Sequence, residues 1–183
     1  MSMRKPMRRR PAALSLALIA GLGGCAMYAT HNSPDARPGA QAKLYDAAGR
    51  EAGFVVLTLK GDDLTGAITV NGISPGPHGI HIHAVGKCEA PGFTTAGGHL
   101  NPDSKQHGLE NPMGAHQGDL PEIIVAADGT GHATFPARTT LDTLFDADGA
   151  AFVVHAAADD NKTDPTGNSG ARILCGVLER MAG

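Results

Sequence analysis

The sequence predicts an all-β domain of eight strands, a sandwich or flattened Greek-key barrel, with two long functional loops. Three observations carry this. Short runs rich in Val, Leu, Ile and Thr recur between residues 41 and 179. Clusters of Gly, Asp, Asn and Pro separate them, as turns require. Two longer stretches, Gly86 to Pro121 and Ala156 to Ala171, break that rhythm and are rich in Gly, Pro, Asn, Asp and charge.

Residues 41–45, 53–60 and 64–70 form the first three strands, divided by Asp46-Ala47-Ala48-Gly49 and Gly61-Asp62-Asp63. Residues 79–84, 122–127, 131–136, 151–155 and 172–179 continue the series, with Asp128-Gly129 as the turn of a hairpin. Short strands at this spacing favour a sandwich or barrel. Loops as long as these two, without strands of their own, are usually functional or disordered, and the histidine and charge they hold favour function.

The first 24 residues describe an address rather than a fold. Met1 to Arg10 contains Arg4, Lys5, Arg8, Arg9 and Arg10 and no acid, and Ala12 to Leu22 is apolar apart from Ser15 and Gly21. A basic head and a short apolar core ending in small residues make a secretory signal. Leu22-Gly23-Gly24-Cys25 resembles the bacterial lipobox, whose cysteine becomes the lipidated first residue. This predicts a periplasm-facing envelope lipoprotein held to the membrane through Cys25, and Ala26 is compatible with outer-membrane sorting. An ordinary signal peptide with an incidental Cys25 is the alternative, and Arg8-Arg9-Arg10 leaves a twin-arginine export route open. Residues 25–40 then read as a flexible tether containing Asn32, Ser33, Pro34, Pro38 and Gly39. Residues 41–183 have the size of one domain.

Charge and cysteine agree with export. The whole chain carries a net −3, but residues 25–183 hold ten basic against 18 acidic residues, a net of −8. An acidic body with no clustered Lys and Arg excludes nucleic acid as a partner. It also means that an anionic substrate would need a local positive patch. There are three cysteines, Cys25, Cys88 and Cys175. If Cys25 carries lipid, Cys88 and Cys175 remain as a pair in a compartment where a disulfide persists.

Histidine usage points to a metal. Nine histidines are present, of which His31 and His132 read as ordinary surface residues. His81 and His83 lie two apart in a strand, so both rings leave one face and can meet one ion. His99, His107, His116 and Asp119 follow in one loop, and His155 ends the run Ala151-Phe152-Val153-Val154-His155. Imidazoles suit copper and zinc, and three histidines with one carboxylate suit tetrahedral zinc. Spacing alone supports a transition-metal site without fixing the number of ions.

Four separated motifs resemble the signatures of copper/zinc superoxide dismutases. They are Gly79-Ile80-His81-Ile82-His83, Ala96-Gly97-Gly98-His99-Leu100-Asn101-Pro102, His116-Gln117-Gly118-Asp119-Leu120 and Gly167-Asn168-Ser169-Gly170-Ala171-Arg172. The resemblance covers about residues 41–180, in the family's order. It implies an eight-stranded Greek-key barrel with one copper and one zinc ion per chain. Copper would be held by His81, His83, His99 and His155, and zinc by His99, His107, His116 and Asp119, with His99 bridging. Asp159 would link a copper histidine to a zinc histidine, and His78 would be structural rather than a ligand. Arg172 would meet superoxide, Lys162 would help steer it, and Cys88–Cys175 would be the disulfide that clamps the metal loop to the last strand.

The activity implied is dismutation of two superoxide anions to O₂ and H₂O₂ through alternating reduction and oxidation of copper, with His99 taking and giving a proton. A non-catalytic copper-binding envelope lipoprotein is the rival reading, against which Arg172 counts. Bacterial members of the family differ in whether they pair, so a homodimer is an open expectation.

Overall fold

The computed structural model describes residues 36–182. The signal segment, Cys25, His31 and most of the tether lie outside the described residues. Among the described residues, ten strands form one antiparallel sheet. β1 (Ala36–Tyr45), β2 (Glu51–Lys60) and β3 (Asp63–Val70) make a meander, followed by β4 (Gly76–His78) and β5 (Ile80–His83). β6 (Ile123–Val125) and β7 (Gly131–Ala137) form the expected hairpin, in which Ala126 N–H bonds Thr130 O at 2.7 Å around Asp128-Gly129. β8 (Ala151–His155), β9 (Arg172–Val177) and β10 (Glu179–Arg180) complete the set.

The lateral order is β4-β6-β7-β3-β2-β1-β9-β8-β5, with β10 paired to β1. The two ends of that path, β4 and β5, are neighbours in sequence with only Gly79 between them. The sheet therefore curls until its edges nearly meet, which removes the exposed edges an open sheet would carry. The long steps from β3 to β4 and from β7 to β8 are the Greek-key connections; the second contains the short helix α1 (Leu141–Leu144), whose Thr140 hydroxyl accepts the Thr143 N–H.

Alternation fills the barrel. Leu44, Val55, Leu57, Ile68, Val70, Ile80, Ile82, Phe152, Val154 and Leu174 are buried in its core. β8 is buried on both faces. Phe152 and Val154 point into the barrel, whereas Ala151 and Val153 pack outward against Phe93, Ala96 and Cys175 beneath the first long loop. Cys88 on that loop is bonded to Cys175 on β9, with Cα atoms 5.7 Å apart.

Three boundaries differ from the sequence reading. The run at 79–84 is β5 alone and a further short strand, β4, precedes it; His78 pairs with β6 and Ile80 with β8, so the chain passes from one barrel edge to the other at Gly79. The run at 172–179 is divided at Leu178 into β9, which pairs with β8 and β1, and β10, which pairs with β1. β1 begins at Ala36 rather than 41, so five residues read as tether join the strand, four of them paired with β2 around a bulge between Pro38 and Ala40. A bulge is where a strand accommodates proline.

Candidate metal centre

β5 supplies the first two side chains. His81 and His83 alternate with Ile80 and Ile82, so both rings leave the same face while the isoleucines enter the core. The first long loop runs antiparallel beside this strand, placing His83 opposite His99 and His81 opposite Asp119. Backbone bonds hold it there, from Leu100 N to Ile82 O at 2.8 Å and from Ile82 N to Gly118 O at 2.9 Å. His155 arrives from the end of β8, which pairs along the other edge of β5.

Each of four rings has one nitrogen bound to an oxygen. His81 Nε2 lies 2.6 Å from Asp159 Oδ2, and His83 Nδ1 lies 3.0 Å from Gly97 O. His99 Nδ1 lies 2.9 Å from Asp119 Oδ1, and His155 Nδ1 lies 3.2 Å from Gly170 O. The opposite nitrogens, His81 Nδ1, His83 Nε2, His99 Nε2 and His155 Nε2, are buried without a partner among the described residues. Leaving one such group unsatisfied costs about 1–3 kcal/mol. One ligand atom from each of these four residues lies within 4.8 Å of all the others, an arrangement that one metal ion would satisfy.

Burial also holds these rings in the neutral form that a metal requires. It pushes His81 down to about 3, His83 to about 2 and His155 to about 4, and it lowers His99.

A second set adjoins the first. The Nδ1 atoms of His99, His107 and His116 lie 2.9, 2.9 and 3.3 Å from Asp119 Oδ1. A tighter geometric grouping pairs His99, His107 and Asp119 with His81 instead of His116. His116 is the better fourth member, because its Nδ1 faces Asp119 while His81 Nε2 is committed to Asp159. Three nitrogens around one carboxylate match the donor set of tetrahedral zinc.

Asp159 joins the two sets, with Oδ2 on His81 and Oδ1 on His107 Nε2 at 3.0 Å. Burial opposes the charge of His107, yet its hydrogen bonds to Asp119 and Asp159 outweigh burial and raise it to about 9. Burial likewise raises both carboxyls, but hydrogen bonds from His107 to both, from His99 to Asp119 and from His81 to Asp159 hold them well below the usual carboxylate range.

Gly167 presses on this link. Its φ is +63°, and a Cβ there would overlap Asp159 Oδ1. We expect Gly167→Ala to weaken metal retention by about 10–100-fold, the usual effect of displacing a ligand's carboxylate partner, as read by metal content after dialysis against a chelator.

The remaining residues from the sequence reading fall in different places. Arg172 begins β9 opposite His155, and donates Nη1 to Phe93 O and Nη2 to Gly97 O, both at 2.7 Å. Gly97, at φ +75°, thus turns one carbonyl toward both Arg172 and His83. His78 sits apart, its nitrogens on His155 O and Ser74 O at 2.7 and 2.8 Å. Lys162 is exposed and paired with Glu110 at 2.8 Å, so its charge is offset locally. Sequence reasoning missed Glu122, whose carboxylate accepts the Asp159 N–H at 2.7 Å, and Asp164, whose carboxylate accepts the His107 N–H at 2.6 Å. Neither stands out in the sequence from an ordinary loop acid.

This arrangement has counterparts. The sequence profile of the copper/zinc superoxide dismutase (SODC) family matches residues 51–178. The superoxide dismutase-like protein YojM of Bacillus subtilis is 39% identical over 176 residues, spanning 86% of this chain and 90% of its own. The Cu-Zn superoxide dismutase of Caulobacter vibrioides is 39% identical over 139 residues, 72% of this chain and 80% of that protein. The crystal structure of a SOD-like protein from Bacillus subtilis superposes with a TM-score of 0.71 at 40% identity, covering 76% of this chain and 97% of that one. With the profile running from β2 through β9 and across both ligand-bearing loops, the chain belongs to the copper/zinc superoxide dismutase family.

Proposed function

We propose that the chain is an active superoxide dismutase, with copper on His81, His83, His99 and His155 and zinc on His99, His107, His116 and Asp119. The observation that supports this most is four nitrogens without a partner among the described residues, with a fixed arginine nearby. Bound copper would supply the alternating one-electron chemistry by which two superoxide anions and two protons become O₂ and H₂O₂. Arg172 binds and orients the anion. Two backbone carbonyls immobilise its guanidinium, which retains further donors for a small oxyanion. His99 is placed to hold a proton at Nε2 and deliver it to the reduced oxygen, while Asp119 keeps its Nδ1 directed at the zinc set.

Chain loaded with both metals should accelerate superoxide decay, and Arg172→Ala should lower the bimolecular rate constant by about 10–100-fold, the worth of a charged hydrogen bond. Lys162→Ala should lower it by less than about threefold, and only at low ionic strength, as befits a paired surface charge.

The relative named superoxide dismutase-like supports a second reading, a non-catalytic copper-binding envelope protein. Full copper loading with no acceleration of superoxide decay, unchanged by Arg172→Ala, would favour it.

The address is part of the proposal. Cys88 and Cys175 are bonded to each other, which leaves Cys25 as the lone cysteine, at the end of the Leu22-Gly23-Gly24-Cys25 motif. We place the protein in the bacterial envelope, facing the periplasm and anchored to the outer membrane through lipid on Cys25, with pairing into a homodimer left as an expectation. Labelled fatty acid should enter the wild-type protein, and Cys25→Ser should abolish labelling and move the protein to the soluble fraction.

A further inference from the structure

Six histidines meet at the two ligand sets, and five have both nitrogens assigned by the geometry. The far nitrogens of His81 and His107 rest on Asp159, those of His83 and His155 rest on backbone carbonyls, and His99 faces both sets. His116 is different. Its Nδ1 points at Asp119, and its Nε2 makes no hydrogen bond among the described residues but faces Asp164 Oδ1 at 3.8 Å. The same Oδ1 accepts the His107 backbone N–H at 2.6 Å.

Asp164 belongs to the second long loop, whereas His107 and His116 belong to the first. One carboxylate oxygen therefore serves two members of the zinc set from across the loop junction. The gap to His116 opens on a cleft of about 310 Å³ lined by His99, Lys105, His116 and Asp164. At 3.8 Å the two atoms are beyond direct hydrogen-bond distance, and a water seated in the cleft beside them can bond to both.

We propose that Asp164 is a positioning residue of the zinc site. Its Oδ1 pins the His107 backbone and receives the His116 Nε2–H through one water, which fixes the tautomer that turns His116 Nδ1 to the metal. A histidine ligand held this way is oriented and made more basic, and losing such a carboxylate typically costs 10–100-fold in metal affinity. The proposal rests on zinc occupying His99, His107, His116 and Asp119.

The test uses the full chain loaded with zinc, following transfer of zinc to a chelating dye. Asp164→Ala should release zinc about 10–100-fold faster than wild type. Asp164→Asn keeps an oxygen for the His107 N–H but removes the charge facing His116, so the loop junction should hold while release is still accelerated. In ¹⁵N-histidine protein, the His116 ring N–H should exchange faster with solvent in Asp164→Asn than in wild type. Wild-type release and ring exchange in Asp164→Asn would overturn the proposal, whether or not Asp164→Ala folds. A wild-type chain that retains no zinc against the dye would instead overturn the zinc assignment itself, and that result is read before any variant is made.

Discussion

Stripping both metals should lower the thermal unfolding midpoint at neutral pH by about 15 °C or more. Ligand saturating a native site at a thousand times its dissociation constant contributes about 4 kcal/mol per site, and 1 kcal/mol moves the midpoint of a domain this size by about 2–4 °C. The structure adds a reason specific to this chain. Four buried imidazole nitrogens have no partner among the described residues, so removing an ion bound there would leave all four unsatisfied at once. The metal-free protein should also be acid-sensitive. Burial depresses His83, His81 and His155 to about 2, 3 and 4, below the 6.5 they have when unfolded. The unfolded chain therefore binds protons first, and stability falls as pH drops from about 6.5 toward those values. Asp119 and Asp159, also held low, add to the loss below about pH 4. His107 acts in the opposite sense: raised to about 9, it stabilises fully below 6.5 and loses that contribution as pH climbs through 9. Calorimetry of metal-free and metal-loaded protein across pH 4–9 would check both effects. A midpoint that shifts by less than about 2 °C on stripping would contradict the ligand assignment.

The sequence disclosed what depends on side-chain type and local period. Ala151–His155 reads as a strand because five apolar-to-histidine residues lie between turns, and it is one. His81 and His83 read as partners because a two-residue period fixes their common face. What depends on the backbone or on distant pairing was hidden. Gly97 and Gly170 contribute carbonyl oxygens, and every residue has one, so no sequence signal marks those two. Pro38-Gly39 looks like tether because proline and glycine weaken strands, yet the bulge beside them lets β1 continue. Gly79 gives no hint that it divides two strands, since that follows only from which edges of a closed sheet meet. Lys162 appears free until the partner Glu110, 52 positions earlier, is brought beside it. Asp159 was legible as a link only through family resemblance, and Asp164 was not legible at all.

Replacing both Cys88 and Cys175 with alanine should destabilise the protein by about 4–5 kcal/mol in the chain-entropy account of an 87-residue closure, and should lower activity by a separate route. The stability term comes chiefly from freeing the unfolded chain, and it appears as a fall in midpoint of about 8–20 °C. The activity term comes from the folded state. Cys88 ties the segment carrying Phe93 and Ala96 onto Val153 of β8 and Cys175 of β9. That segment holds the two carbonyls, Phe93 O and Gly97 O, on which the Arg172 guanidinium rests. Gly97 O also sets the ring of His83, so a loosened loop disturbs the arginine proposed to bind the anion and one proposed copper ligand through a single atom. The metal set itself has other supports, because His99 is held on β5 by the Leu100 and Gly118 backbone bonds. The disulfide-free variant should therefore retain metal at low temperature while its rate per loaded chain falls toward that of Arg172→Ala. Metal content, rate and midpoint measured on the same preparation separate the two routes. Wild-type turnover per loaded chain would show that packing of Phe93 and Ala96 alone fixes the arginine, and would confine the disulfide to a purely stabilising role.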